Sequence, residues 1–325
     1  MGERAQNWLG LGLALVVACA AQAQQADDRY AYTLDATQIA DGTWWVAGEI
    51  EHFTMANGGR IANLGFISTS VGTVVIDTGT SLAHGKALRA LIEQTVDSPI
   101  VRVFNTHQHP DHVLGNGAFA DVPIEALAAT RDGLRENGGA LLDNVYRMLG
   151  PWMRGTELQL PTAEATPRTM TLGDHELEIL AFDGHTDGDL VIYDRTTGVL
   201  FCGDLCFHQR APTTPDADID RWLATLRALD ALGAKQIVPG HGPIIGAEDS
   251  ALRLNADYLE WLDGLVRAAV EEGRLMPELM EQPLPARFGP ISSPRAEYAR
   301  SIMHLYPLYE AALFGPAEGG DGGQR

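Results

Sequence analysis

Three histidines and an aspartate fall within six positions in His107-Gln108-His109-Pro110-Asp111-His112, and this density of ligand-type side chains is the first chemical signal in the chain. A hydrophobic core has no use for so many polar rings side by side. In an extended or turning segment His107 and His109 project to one side, while Asp111 and His112 reach a point further along. Imidazole nitrogens bind zinc at about 2.0–2.1 Å and carboxylate oxygens at about 2.0–2.2 Å, so one short loop can serve two metals. Three later segments supply the remaining donors: Asp183-Gly184-His185-Thr186, Phe201-Cys202-Gly203-Asp204 and Pro239-Gly240-His241-Gly242-Pro243. Each sets one ligand-type side chain beside a glycine that lets the backbone turn sharply. Singly, His185 and His241 read equally well as structural histidines and Asp204 as a turn residue. Their ordered combination behind the first loop is what points to a metal centre.

Positioning these groups requires strands that end where the donors begin. Short β-rich runs punctuated by glycine are expected at 44–46, 63–68, 73–77 and 100–104, the last running directly into the histidine cluster. Apolar residues at Ala87, Leu88, Leu91 and Ile92 have helical spacing over 84–95. A looser second round follows. A strand into a turn is expected over 121–129 and a helix over 130–149. Strands follow at 169–172, 176–182, 190–193 and 199–202, then a helix at 219–232 and a strand at 236–238. Residues 150–167, with Trp152 and Met153, read as a structural excursion or a lid, the core-filling choice being favoured. The last third is helical, over 249–272 and 294–314, around a Pro-rich stretch at 276–290.

Composition bounds the remaining possibilities. The 325 residues are 45% hydrophobic and 20% charged, enough apolar surface for a sizeable core. Net charge is −20, which repels phosphate backbones and argues against nucleic acid as a partner. The apolar run from Trp8 to Ala21, ending in Ala21-Gln22-Ala23, reads as a secretory signal over residues 1–23, too short to span a bilayer comfortably. A second reading takes Val16-Val17-Ala18-Cys19 as a lipoprotein box with a lipid anchor at Cys19. Both place the folded part outside the cytoplasm, periplasmic or secreted, with no stable membrane insertion after cleavage.

The order His107-x-His109-x-Asp111-His112, Gly184-His185-Thr186, Gly203-Asp204 and Gly240-His241-Gly242, preceded by Val75-Ile76-Asp77-Thr78-Gly79, resembles the metallo-β-lactamase superfamily. The resemblance implies an α/β fold, a four-layer αβ/βα sandwich, here with a helical C-terminal extension. The expected division is a signal peptide at 1–23, an N-terminal leader at 24–43, the metallo-β-lactamase-fold domain at 44–248, C-terminal helices packing on it at 249–316 and a disordered tail at 317–325. By matching positions, His107, His109 and His185 hold the first metal and Asp111, His112 and His241 the second, with Asp204 bridging. Aspartate at 204, where the β-lactamase branch has cysteine, is similar to the glyoxalase II-like ligand set. The text from Asn105 to Phe119 behind an export signal resembles the exported SoxH-like zinc hydrolases found with quinoprotein dehydrogenase systems.

This resemblance implies a dinuclear zinc hydrolase in which a metal-bridging hydroxide cleaves an ester, thioester or related acyl bond of a small molecule. Asp111 is the catalytic candidate, orienting the nucleophile or shuttling a proton. The alternatives are a mononuclear iron sulfur dioxygenase, β-lactamase-type amide hydrolysis, and a non-catalytic periplasmic accessory protein. Asp77 is expected to orient a ligand histidine, with Thr186 and Asp189 doing similar work beside His185. His208 is placed on the substrate rim. His52, His84, His175 and His304 are left as surface or structural residues. Cys202 and Cys206 read first as buried free thiols; in an extended chain their Cα atoms would lie about 13 Å apart, beyond disulfide reach.

Overall fold

Strict alternation along two buried strands decides the layering. The computed structural model describes residues 28–289, 291–292 and 294–314. Its first sheet has seven strands in sequence order: β1 (Ala36–Ala40), β2 (Thr43–Val46), β3 (Leu64–Thr69), β4 (Gly72–Ile76), β5 (Ile100–Phe104), β6 (Ile124–Ala126) and β7 (Ala163–Glu164). The second has six: β8 (Arg168–Leu172), β9 (His175–Phe182), β10 (Asp189–Asp194), β11 (Val199–Phe201), β12 (Gln236–Val238) and β13 (Ile245–Gly246). Val74 and Ile76 of β4 meet Leu190 and Ile192 of β10 in a core between the sheets. The residues between them in each strand face outward. Val75 packs with Leu88 and Ile92 of helix α1 (Leu82–Thr95). Val191 and Tyr193 pack with Trp222 and Leu226 of the helix over Ile219–Ala231. Helix, sheet, sheet, helix is therefore the order of layers, the sandwich that the resemblance implies.

Five further helices precede that outer helix or follow it among the described residues. The chain order is α2 (Pro110–Val113), α3 (Ala128–Leu149), α4 (Ile219–Ala231), α5 (Ala251–Glu271), α6 (Met276–Met280) and α7 (Pro294–Phe314). Along α5, Leu252, Leu259, Leu262 and Val266 are buried at helical spacing, and they share one core with Tyr298 and Ile302 of α7 and with Trp222. Burying each large apolar side chain contributes about 1.5–3 kcal/mol, so this extension is tied to the second sheet through hydrophobic area. No helix among the described residues is long and apolar enough to cross a membrane.

The expected leader over 24–43 differs from what the structure shows. β1 pairs antiparallel with β2, the Tyr32 hydroxyl donates to the Gly58 carbonyl at 2.6 Å, and its ring stacks on His84 at 4.5 Å. Residues 36–40 alternate too weakly in hydrophobicity to announce an edge strand, the exposed Thr37 and Gln38 being consecutive. The stretch at 150–167 is not a lid alone: Met153 is fully buried with Leu149, while Trp152 covers Gly58. The export signal, Cys19 and the tail at 317–325 lie outside the described residues.

Candidate metal centre

Topology brings the four donor segments to one edge. β11 and β12 are parallel, and β9 runs in their direction because β10 lies antiparallel between β9 and β11. The carboxyl ends of β9, β11 and β12 therefore coincide, delivering His185, Asp204 and His241. The loop after β5 joins them from the other sheet through the Leu190 amide, which donates to the Thr106 carbonyl at 2.7 Å. Glycine is required in two of the turns. Gly184 has φ +129°, and a Cβ there would strike Trp222 Cα; one on Gly240 would strike Asp204 Oδ1.

The donors gather in two groups, His107, His109, His185 and Asp204 in one and Asp111, His112 and His241 in the other, with the ligand atoms of each group within 4.8 Å of one another. Asp204 reaches both. Its Oδ2 lies 3.5 Å from His185 Nε2 and 3.8 Å from His107 Nε2, and 3.2 Å from His241 Nε2, while Oδ1 lies 3.2 Å from His112 Nε2. Asp111 Oδ2 stands 3.4 Å from His241 Nε2. All seven expected ligands are thus side by side. His107 Nε2, His112 Nε2 and Asp204 Oδ1 are buried and lack an aligned hydrogen bond within the protein. Leaving such groups unsatisfied costs about 1–3 kcal/mol each, and a cation is the partner that suits all three at once. The donor set fits two divalent metals.

Electrostatics separates the rings. Burial holds His107 well below its ordinary pKa and pushes His185 down to about 3, leaving neutral rings with a lone pair for a cation. Burial opposes the charged form of His112 as well, but Asp204, Asp77 and Asp111 hold it well above the ordinary value. Burial would raise Asp204, yet His241 and His112 keep it well below the usual carboxylate range.

A layer of outer contacts fixes which nitrogen faces inward. His112 Nδ1 donates to Asp77 Oδ2 at 2.7 Å, and the Thr106 hydroxyl donates to the same oxygen at 2.7 Å. That hydroxyl lies 3.0 Å from His107 Nδ1, so Asp77 also reaches the second ring. Asp77 has φ +58°, a left-handed conformation that aspartate tolerates. Thr186 and Asp189 act on backbone rather than on the His185 ring: Asp189 Oδ2 accepts from the His185 and Thr186 amides at 3.1 and 3.0 Å, and Oδ1 from the Thr186 hydroxyl at 2.8 Å. Burial pushes Asp189 up to about 7.

Several contributors carried no sequence signal. His109 Nε2 donates to Asp216 at 2.8 Å, a pair 107 residues apart. His241 Nδ1 donates to the Ile61 carbonyl at 2.8 Å, with Arg210 Nη1 against the same atom. Asn63 Nδ2 donates to the Pro239 and Gly242 carbonyls at 2.8 and 2.7 Å, pinning the His241 turn. Asn255 of α5 binds both the amide and the carbonyl of Phe207, pinning the chain beyond Asp204.

A cavity of about 490 Å³ opens above the donors, with His109, Asp111, Asp204 and His241 among its lining residues. His208, expected on its rim, is not among them: Nδ1 donates to the Pro243 carbonyl at 3.0 Å and Nε2 faces Asp249 at 3.4 Å. His52, left as a surface or structural residue, lines it instead. His84 and His175 are buried, the latter 2.9 Å from Asp194, and His304 is exposed. Cys202 and Cys206 are buried free thiols in neither donor group.

Comparison with known proteins agrees with this geometry. The chain is 27% identical to the acyl-coenzyme A thioesterase MBLAC2 of Bos taurus over 68% of its own length and 85% of that protein. It is 24% identical to a linear primary-alkylsulfatase of Pseudomonas sp. (strain ATCC 19151), over 76% of its own length and 55% of the relative. A solved metallo-beta-lactamase from Pontibacter korlensis superposes with a TM-score of 0.58 at 26% identity, covering 70% of this chain and 99% of that one. A family model described as the metallo-beta-lactamase superfamily matches residues 57–241, ending on His241, and the chain belongs to that superfamily.

Proposed function

We propose that the reaction of this metal-dependent hydrolase is cleavage of a thioester or ester of a small acyl compound, with zinc in both donor groups. The observation that carries the reading is Asp204, which stands between the two groups where one carboxylate can serve two cations at the floor of a cavity. Two divalent cations in such a site lower the pKa of water and polarise a carbonyl oxygen. The likeness to an acyl-coenzyme A thioesterase supports an acyl substrate.

The chain's own residues divide the remaining work. His107, His109 and His185 would hold one cation and Asp111, His112 and His241 the other, with Asp77 keeping two of these rings turned inward. Asp111, at the cavity wall, orients the attacking water and carries its proton toward the departing thiolate or alkoxide. Water adds across the acyl bond, and the products are a carboxylic acid and a thiol or alcohol. The export signal read over residues 1–23 supports a periplasmic or secreted enzyme, and the text around His107 supports kinship with hydrolases of quinoprotein systems.

The test is turnover by the purified zinc-loaded protein on a panel of thioesters, esters, lactones, β-lactams and sulfate esters. Release of thiol or alcohol, abolished by His107→Ala, is expected. Turnover confined to β-lactams or sulfate esters, or oxygen consumption with a persulfide, would replace the reading.

A further inference from the structure

The cavity lining has two unlike parts. One part is apolar: α3 contributes Leu141, Val145 and Met148, spaced four and three residues apart on one helical face, and Phe53 joins them in the lining. The other is polar: α7 contributes Ala296 and Arg300, one turn apart, and Arg210 and His52 line the cavity as well. The metal ligands Asp111, Asp204 and His241 belong to the same lining.

The charges on the polar side are unequally committed. Asp216 accepts from His109, and Glu297, fully buried, lies 3.6 Å from Arg210 Nη2 and 3.4 Å from His52 Nδ1. Arg300 is exposed to the cavity and has neither hydrogen bond nor ion pair among the described residues. Behind it, Arg210 is 4% exposed and its Nε has no hydrogen-bond partner. The charge of Arg300 is felt at both Asp216 and His52, whose pKa values it helps to lower, after the larger effects of the His109 hydrogen bond and of burial respectively. A chain of net charge −20 repels anions at long range, so a local guanidinium left over inside its cavity has an anion as its natural complement.

We propose that the cavity selects an anionic amphiphile, an acyl compound whose apolar part lies on the Leu141–Val145–Met148 face and whose oxyanion, a carboxylate or a phosphate, is received by Arg300. This rests on the cavity being the substrate site of the proposed hydrolase. Arg300 is then a specificity-determining residue supplied by the C-terminal helices. An apolar chain held by the one part and an anion held by the other fix the acyl compound in the cavity that Asp111, Asp204 and His241 also line.

Calorimetric binding of octanoate, octyl phosphate and octanol to the zinc-loaded full chain tests it, with the wild type, Arg300→Ala and Arg300→Lys compared. Arg300→Ala is expected to weaken one or both anions at least tenfold, Arg300→Lys to retain part of the affinity, and octanol to bind weakly and alike to all three. The anion lost more steeply identifies the headgroup. Met148→Asp is expected to weaken both anions through the apolar wall. Equal loss for octanol, or anion binding unchanged in Arg300→Ala, would overturn the proposal. Arg300-dependent binding without turnover of any thioester or ester would leave this inference standing and remove the proposed reaction.

Discussion

Asp77 Oδ2 lies 2.7 Å from His112 Nδ1 in a space closed to solvent, and through the Thr106 hydroxyl the same carboxylate reaches His107. One buried acid therefore sets the orientation of a histidine in each donor group. Asp77→Asn keeps the volume but lets the amide turn a donor toward either ring. Metal affinity is expected to fall about 10–100-fold in both groups with the fold retained, measured by chelator competition and circular dichroism. Loss confined to one equivalent would show that the link through Thr106 does not orient His107.

His84, in neither donor group, supplies a pH dependence that burial dominates. Its ring is 1% exposed, its Nδ1 accepts from the Thr80 amide at 3.2 Å, and burial pushes its pKa down to about 3. The unfolded chain takes up this proton near pH 6.5 and the folded chain does not. The stability tied to a neutral His84 is therefore complete above about pH 6.5 and is lost as pH falls from there toward 3. The slope is about 1.4 kcal/mol per pH unit, roughly 2 kcal/mol between pH 6.5 and 5. Urea unfolding of wild type against His84→Gln checks it: the difference in slope is expected below pH 6.5 and not above. Parallel curves down to pH 5 would show that His84 titrates normally.

Arg210 and Glu297 tie α7 to the ligand turn at His241, with 4% and 0% of their surfaces exposed. Removing one charge strands the other. Glu297→Gln is expected to destabilise the zinc-loaded protein by about 3–5 kcal/mol, read as a shift of the urea midpoint at constant slope. The double variant Arg210→Met with Glu297→Leu should recover much of that loss while still altering metal affinity at His241. A single variant as stable as wild type would mean that the pair is not coupled.

The candidate donors were legible in the sequence because His107, His109, Asp111 and His112 crowd one loop behind β5, and His185, Asp204 and His241 each stand beside a glycine near a strand end. His107, His109, His185 and Asp204 form one of the observed groups and Asp111, His112 and His241 the other; the resemblance implied the same two sets of three, with Asp204 bridging them. The layering came from the resemblance rather than from local pattern, since β4 and β10 are buried along their whole length and show no alternation in sequence. Contacts across the fold were not legible. Asp216 meets His109, Asn63 meets the Pro239–Gly242 turn, and Arg210 meets Glu297 only after two sheets and three helices have packed, and no local pattern announces such pairs. His208 and His52 exchanged roles for the same reason. The backbone after Asp204 turns His208 toward Pro243, with Gln209 at φ +58°, whereas His52 is brought in by a helix near the far end of the chain.

Metal content per chain tests the central claim most directly, since the reaction proposed for the cavity depends on two cations at its floor. The full-length protein, purified without chelator and dialysed against zinc-limited buffer, is expected to hold two equivalents of zinc by elemental mass spectrometry. Asp204→Ala is expected to hold one or fewer. One equivalent of iron without zinc, or wild type and Asp204→Ala with the same single equivalent, would contradict a dinuclear hydrolase.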